Sequence, residues 1–126
     1  GTGTILIVED NYMVADSLRA YLEKCGYSVL VAENGPEALA VMRQSESIDL
    51  VLCDVVLPDG MSGPEVIQTI RPDNPNVKVL YMTGYADEQI LASNTSEDEQ
   101  RVLHKPFPMH QLAEMIADEL DIEAKN

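Results

Sequence analysis

A chain of 126 residues and 13.9 kDa is one ordinary domain, with no room for a second full-sized one. Hydrophobic residues make up 45% of it, which excludes a disordered polymer and supplies a core without staples. Acids outnumber bases 22 to 8, giving a formal charge of −14; such a surface repels phosphate backbones and anionic lipid heads, so neither direct nucleic-acid nor direct membrane binding is expected.

Short apolar runs alternate with helical patterns along the whole chain. Thr4-Ile5-Leu6-Ile7-Val8 is continuous and rich in β-branched residues, as a strand buried on both faces would be. Val14, Leu18, Tyr21, Leu22 and Cys25 fall on one face of a predicted helix, and Gly26 supplies its stop. Val29 to Ala32 reads as a second strand. Asn34-Gly35-Pro36 then opens a helix with Ala38, Leu39, Val41 and Met42 on its apolar side. Leu50 to Cys53 is a third strand, ending at Asp54. Leu57-Pro58-Asp59-Gly60 has strong turn chemistry. Ser62 caps the next helix, with Glu65 as its capping-box partner and Val66, Ile67 and Ile70 facing inward.

Val77 to Met82 is a fourth strand. A short helix is expected around Glu88 to Ala92, followed by an acidic stretch containing Glu97-Asp98-Glu99, which reads as a solvated loop. Val102-Leu103-His104 is a brief fifth strand. Pro108 begins the last helix, with Leu112, Met115, Ile116 and Leu120 on one face. Five strands each followed by a helix imply an α/β domain, a parallel sheet covered on both faces, with its core over about 4–121.

Cys25 and Cys53 lack metal-ligand spacing and read as core thiols in a reducing compartment, which places the chain in the cytoplasm. No apolar run approaches the roughly 20 residues of a membrane helix, and no signal peptide is visible. A first residue Gly1 in place of Met predicts a processed chain or a piece of a longer one.

In a doubly wound parallel sheet the site lies beyond the carboxyl ends of the strands. Those ends hold Glu9-Asp10, Asp54, Thr83-Gly84 and Lys105-Pro106-Phe107. Singly, each is an ordinary cap or turn residue; together they form a chemical set. Three clustered carboxylates need a cation to stay ionised together. Hard oxygen donors suit Mg2+, which keeps several waters and bridges to phosphate. A carboxylate can be the nucleophile of phosphoryl transfer, and that transfer needs positive charge and positioning around the moving oxygens. Lys105 supplies charge, Thr83 a hydroxyl, and Gly84 the space beside it.

This pattern, Ile5-Leu6-Ile7-Val8-Glu9-Asp10, then Asp54 with Leu57-Pro58 and Gly60, then Met82-Thr83-Gly84, then Lys105-Pro106-Phe107, resembles the receiver domain of two-component response regulators. The resemblance covers roughly residues 4–121. It implies a flavodoxin-like doubly wound five-stranded sheet of order 2-1-3-4-5 with five helices, and a role as phosphoacceptor in a phosphorelay. By resemblance, Asp54 takes a phosphoryl group from a histidine kinase or a histidine phosphotransfer domain, and Thr83 and Lys105 contact that group. Asp10 and Asp54 would ligate Mg2+ directly, Glu9 through water, and Val56 through its main-chain carbonyl. The Lys105-Pro106 peptide is expected to be cis. The segments Leu57 to Glu65 and Tyr81 to Ala86 look like the receiver fused behind the kinase core in hybrid histidine kinases. Such a domain catalyses its own phosphorylation and dephosphorylation, with no turnover of an external small molecule expected. Homodimerisation stays open.

The chain departs from the family at Val102, where receivers often carry a switching aromatic residue; switching is expected to run through Thr83 and the following loop, with Tyr85 a candidate. Val56 and Tyr85 flank the approach of water to Asp54, which predicts a long-lived phosphoryl group. A pseudo-receiver binding module would lack one of the acids, the Thr or the Lys. A haloacid-dehalogenase-type phosphohydrolase would carry a second Asp two residues after the nucleophile, where Val56 stands. A flavin or dinucleotide binder would have a glycine-rich loop after the first strand, where Glu9-Asp10-Asn11 stands. His104, in a strand beside Lys105, and His110, in a first helical turn, have no ligand spacing between them and read as ordinary residues rather than as a phosphorelay histidine or metal ligands.

Overall fold

The structure, a computed structural model, describes residues 2–45, 47–84 and 101–124, with side chains to 120. In chain order the elements are β1 (Thr4–Val8), α1 (Tyr12–Lys24), β2 (Ser28–Ala32), α2 (Gly35–Gln44), β3 (Leu50–Asp54), α3 (Gly63–Ile70), β4 (Lys78–Thr83), β5 (Val102–His104) and α4 (Met109–Ala124). The strands form one parallel sheet, as the patterning predicts, in the order β2-β1-β3-β4-β5 that the family resemblance implies. The helix expected around Glu88 to Ala92, Tyr85 and the Glu97-Asp98-Glu99 stretch lie outside the described residues.

The continuous apolar strands follow from burial on both faces. Alternate residues of β1 point to opposite sides. Leu6 and Val8 join Val51 and Cys53 beneath Ala38 and Met42 of α2 and Val66, Ile67 and Ile70 of α3. Ile5 and Ile7 join Leu50 and Leu52 beneath Leu18 and Leu22 of α1 and Leu112 and Ile116 of α4. Each fully buried Ile or Leu in these layers contributes on the order of 2 kcal/mol.

Capping chemistry sets the helix starts. Asn11 accepts from the N–H groups of Met13 and Val14. Asn34 accepts from Glu37 N–H. Ser62 and Glu65 form the predicted capping box, Glu65 Oε1 accepting from Ser62 N–H at 3.0 Å and Ser62 Oγ from Glu65 N–H at 3.3 Å. Gly26, at φ 103°, takes the left-handed conformation that ends α1. No disulfide joins Cys25 and Cys53.

Two expectations shift, and one buried charge is new. Val14 is exposed rather than part of the buried stripe of α1, which runs through Ala15, Leu18 and Leu22, because α1 meets the sheet one position further round. β4 begins at Lys78 and extends through Thr83, one residue beyond the apolar run, because Thr83 still pairs with His104. Glu119 is buried, its charge met by Arg101 at 3.1 Å. That pair ties α4 to the residue entering β5 across a separation no local pattern encodes.

One glycine governs how β3 hands over to α3. A Cβ on Gly63 would stand 2.3 Å from the carbonyl oxygen of Asp54 and 3.1 Å from Val55 Cα. Backbone on both sides leaves little to move, so G63A should cost at least the upper part of the roughly 1–3 kcal/mol typical of overpacking. Urea unfolding checks this, with S62A, expected to lose about 1 kcal/mol of cap, as the milder comparison.

Candidate functional site

Register brings the strand ends level. Val8 pairs with Cys53, so Glu9 comes opposite Asp54. Asp54 pairs with Met82 and Thr83 with His104, which sets Thr83 and Lys105 just beyond them. Backbone bonds extend the order past the strands: Glu9 N–H donates to Ala32 O at 3.0 Å, Val55 N–H to Met82 O at 3.1 Å, and Lys105 N–H to Thr83 O at 2.9 Å.

Glu9, Asp10 and Asp54 each offer a carboxylate oxygen, and these lie within 4.8 Å of one another. Glu9 and Asp54 are buried and Asp10 is exposed, so the cluster opens to solvent on one side. Lys105 Nζ donates to Asp54 Oδ2 at 2.8 Å and to Glu9 Oε1 at 3.4 Å. The second oxygen of Glu9 accepts from Asn11 N–H at 2.9 Å, and that of Asp54 from Val56 N–H at 3.3 Å. The Thr83 hydroxyl donates to Gly84 O at 2.9 Å. The Lys105-Pro106 peptide is cis.

Burial pushes the Glu9 carboxyl above its ordinary value; the Asn11 N–H and the Lys105 ammonium pull it back, and the Asp54 charge adds to the rise. For Lys105, burial works against the ammonium, but the hydrogen bond and charge of Asp54, with Glu9 behind them, outweigh it and raise its pKa. Burial, then the charges of Asp54 and Glu9, pushes the Cys53 thiol far up, so it stays protonated and does not compete as a nucleophile beside Asp54.

The structure thus gathers Glu9, Asp10, Asp54 and Lys105 into direct or near contact. Thr83 stands on the adjacent strand with its hydroxyl turned to Gly84. Val56, two residues after Asp54, is 45% exposed. His104 and His110 are exposed, and the carboxylate cluster includes neither. Val102 is partly buried against the α2–α3 side of the core. Asn11 went unnoticed in the sequence as a site residue: its side chain marks a helix cap, but the group that holds Glu9 is its backbone N–H, which no residue type signals.

The response regulator receiver domain family matches residues 5–117. The chain belongs to that family. It is 33% identical over 122 residues to the sensor kinase CckA of Brucella abortus, covering 96% of this chain and 13% of that protein. It superposes on a CheY-like response regulator receiver domain protein from Methanospirillum hungatei with a TM-score of 0.84 and 30% identity, over 99% of this chain and 98% of that one. The receiver domain of the hybrid histidine kinase CckA matches with a TM-score of 0.78 and 30% identity, over 94% and 99% of the two chains. The chain therefore spans a small part of the curated sensor kinase it matches. Among the described residues, no helix is long and apolar enough to cross a membrane.

Because the fold raises the pKa of Glu9, its contribution to stability is fully present below its unfolded value of 4.5 and is lost as pH rises through its folded value. Urea unfolding in a chelator, from pH about 4.5 to about 8, should show E9Q gaining stability relative to the unaltered protein as pH rises. Parallel pH profiles for the two would remove Glu9 as the source.

Proposed function

We propose that this receiver domain is a phosphoacceptor in a two-component phosphorelay, with Asp54 as the acceptor. The observation that carries this reading is the Asp54 carboxylate with Lys105 Nζ 2.8 Å away and two further carboxylates beside it. One Asp54 oxygen attacks the phosphorus of a phosphohistidine. The P–O bond forms as the P–N bond breaks, and the imidazole leaves and takes up a proton from solvent. Lys105 is already in place to follow the negative charge from the carboxylate onto the phosphoryl oxygens. Thr83 gives up its bond to Gly84 O and donates to one of those oxygens.

The donor set fits Mg2+: hard carboxylate oxygens, few enough to leave room for waters, on a cluster open at Asp10. Asp10, Asp54 and the main-chain carbonyl of Val56 would hold it directly and Glu9 through water. When bound, Mg2+ offsets the negative charge shared by the carboxylates and the incoming phosphoryl group.

The donor is a protein, a histidine kinase or histidine phosphotransfer domain, and the rim of the pocket supports this. Tyr12 and Met13 are 75% and 78% exposed, and an apolar groove of about 450 Å3 beside Lys105 is lined by Met13, Val14, Leu18, Phe107 and Met109. Large apolar side chains grouped around a charged pocket suit a partner that must cover it. Likeness to a sensor kinase supports placement within a hybrid kinase.

Incubation with acetyl phosphate and Mg2+ should add one phosphoryl group to the intact mass, and D54N should abolish the gain. An unchanged wild-type mass would sink the phosphoacceptor reading, and steady release of phosphate from many monoesters would indicate a phosphohydrolase instead. Val56 puts apolar bulk beside Asp54, so V56N should shorten the half-life of the phosphorylated protein by roughly tenfold, read by the decay of that mass.

A further inference from the structure

Residues 55–62 join Asp54 to α3, and this loop carries Val56, whose N–H donates to Asp54 Oδ1 at 3.3 Å. Its ends are held by backbone: Val55 N–H donates to Met82 O at 3.1 Å, and Gly63 N–H to Val55 O at 2.8 Å. Its apex turns at Asp59 and Gly60, with φ of 68° and 86°, against the start of α2. There the Asn34 side chain bonds in two directions. Oδ1 accepts from Glu37 N–H at 2.8 Å, capping α2, while Nδ2 donates to Asp59 Oδ2 at 2.9 Å. The two partners fix the orientation of the amide, since an N–H needs an acceptor and a carboxylate a donor. Beside it, a Cβ on Gly35 would lie 2.9 Å from both Cβ and Sδ of Met61 and 3.1 Å from Val66 Cγ2. The helix start and the loop apex are thus fastened by one charge-assisted hydrogen bond and one close contact.

We propose that Asn34 is a positioning residue for the site: by holding Asp59 it holds the loop, and through the Val56 N–H it aims the carboxylate of Asp54. A cap alone would not need an Asn. Asp caps helices equally well but has no donor for Asp59. The amide is the group that serves both ends. The same loop carries the Val56 carbonyl, so its placement also bears on the cation site. The effect on phosphorylation rests on the phosphoacceptor reading; the effect on the loop does not.

Three variants separate the two roles. N34D keeps the cap, removes the donor and sets a carboxylate against Asp59. D59N keeps an acceptor for the amide. The N34D/D59N double variant restores a donor–acceptor pair in reverse, at the original charge. Phosphorylation by acetyl phosphate at limiting Mg2+ should slow about tenfold in N34D, the scale of losing an outer-shell partner, and stay within about threefold of the unaltered protein in the other two. Amide exchange at Val56, read by NMR without phosphodonor or Mg2+, should speed up about tenfold in N34D and return in the double variant. If N34D does not fold, D59A, which leaves the cap in place, should show both losses.

Unaltered Val56 exchange in N34D, or in D59A if N34D does not fold, overturns the proposal, as does a double variant that behaves like N34D. If the unaltered protein gains no phosphoryl group, the phosphoacceptor reading fails, and the Val56 exchange rates alone decide whether Asn34 holds the loop.

Discussion

Three carboxylates at the ends of neighbouring strands repel one another, and the rest of the site is arranged around that repulsion. Lys105 answers it with one ammonium shared between Asp54 and Glu9, at 2.8 and 3.4 Å. Backbone N–H groups of Asn11 and Val56 take the other two oxygens. Asp10 is exposed at the open side of the cluster. The balance is incomplete, three carboxylates against one ammonium, and burial, with the Asp54 charge behind it, holds the Glu9 carboxyl above its ordinary value. A site that holds unneutralised negative charge in a half-buried setting is one that favours a cation.

That charge arrangement depends on backbone placement more than on side-chain reach. Parallel pairing of β1 with β3 and of β3 with β4 sets the strand ends level, and short backbone bonds continue the alignment one residue beyond the strands. After Asp54 the chain must turn at once into α3, and the Asp54 carbonyl lies where the side chain of any residue but glycine at 63 would begin. The loop between is held at both ends and at its apex. The Asp54 carboxylate therefore sits on a stiff frame, which suits chemistry that relies on positioning and electrostatics.

The formal charge of −14 divides accordingly. Glu9, Asp10 and Asp54 belong to the pocket. Residues 86–126 carry ten acids against three bases, half of the net charge on a third of the chain. Apolar side chains at Tyr12, Met13 and Val14, by contrast, are exposed beside the pocket.

Much of this was legible in the residues themselves. Strand and helix patterning, the helix opening at Asn34-Gly35-Pro36, the cap at Ser62, and the family's spaced motifs specified a five-stranded parallel sheet and the residues at its carboxyl edge, because burial on both faces and helix capping leave local signatures. Val14 misled because an apolar residue at the edge of a helical stripe has no local mark of which side meets the sheet. Glu119 gave no warning of burial, since its partner Arg101 lies on another element. The sequence by itself determined the secondary elements found among the described residues, their alternation and the chemical types at the strand ends. Only the tertiary structure decided the contacts: Lys105 with Asp54 and Glu9, Asn34 with Asp59, and the carbonyl of Asp54 against Gly63. Each joins residues from different elements, or from opposite ends of a turn, at distances set by strand register and loop path, which no local run of amino acids encodes.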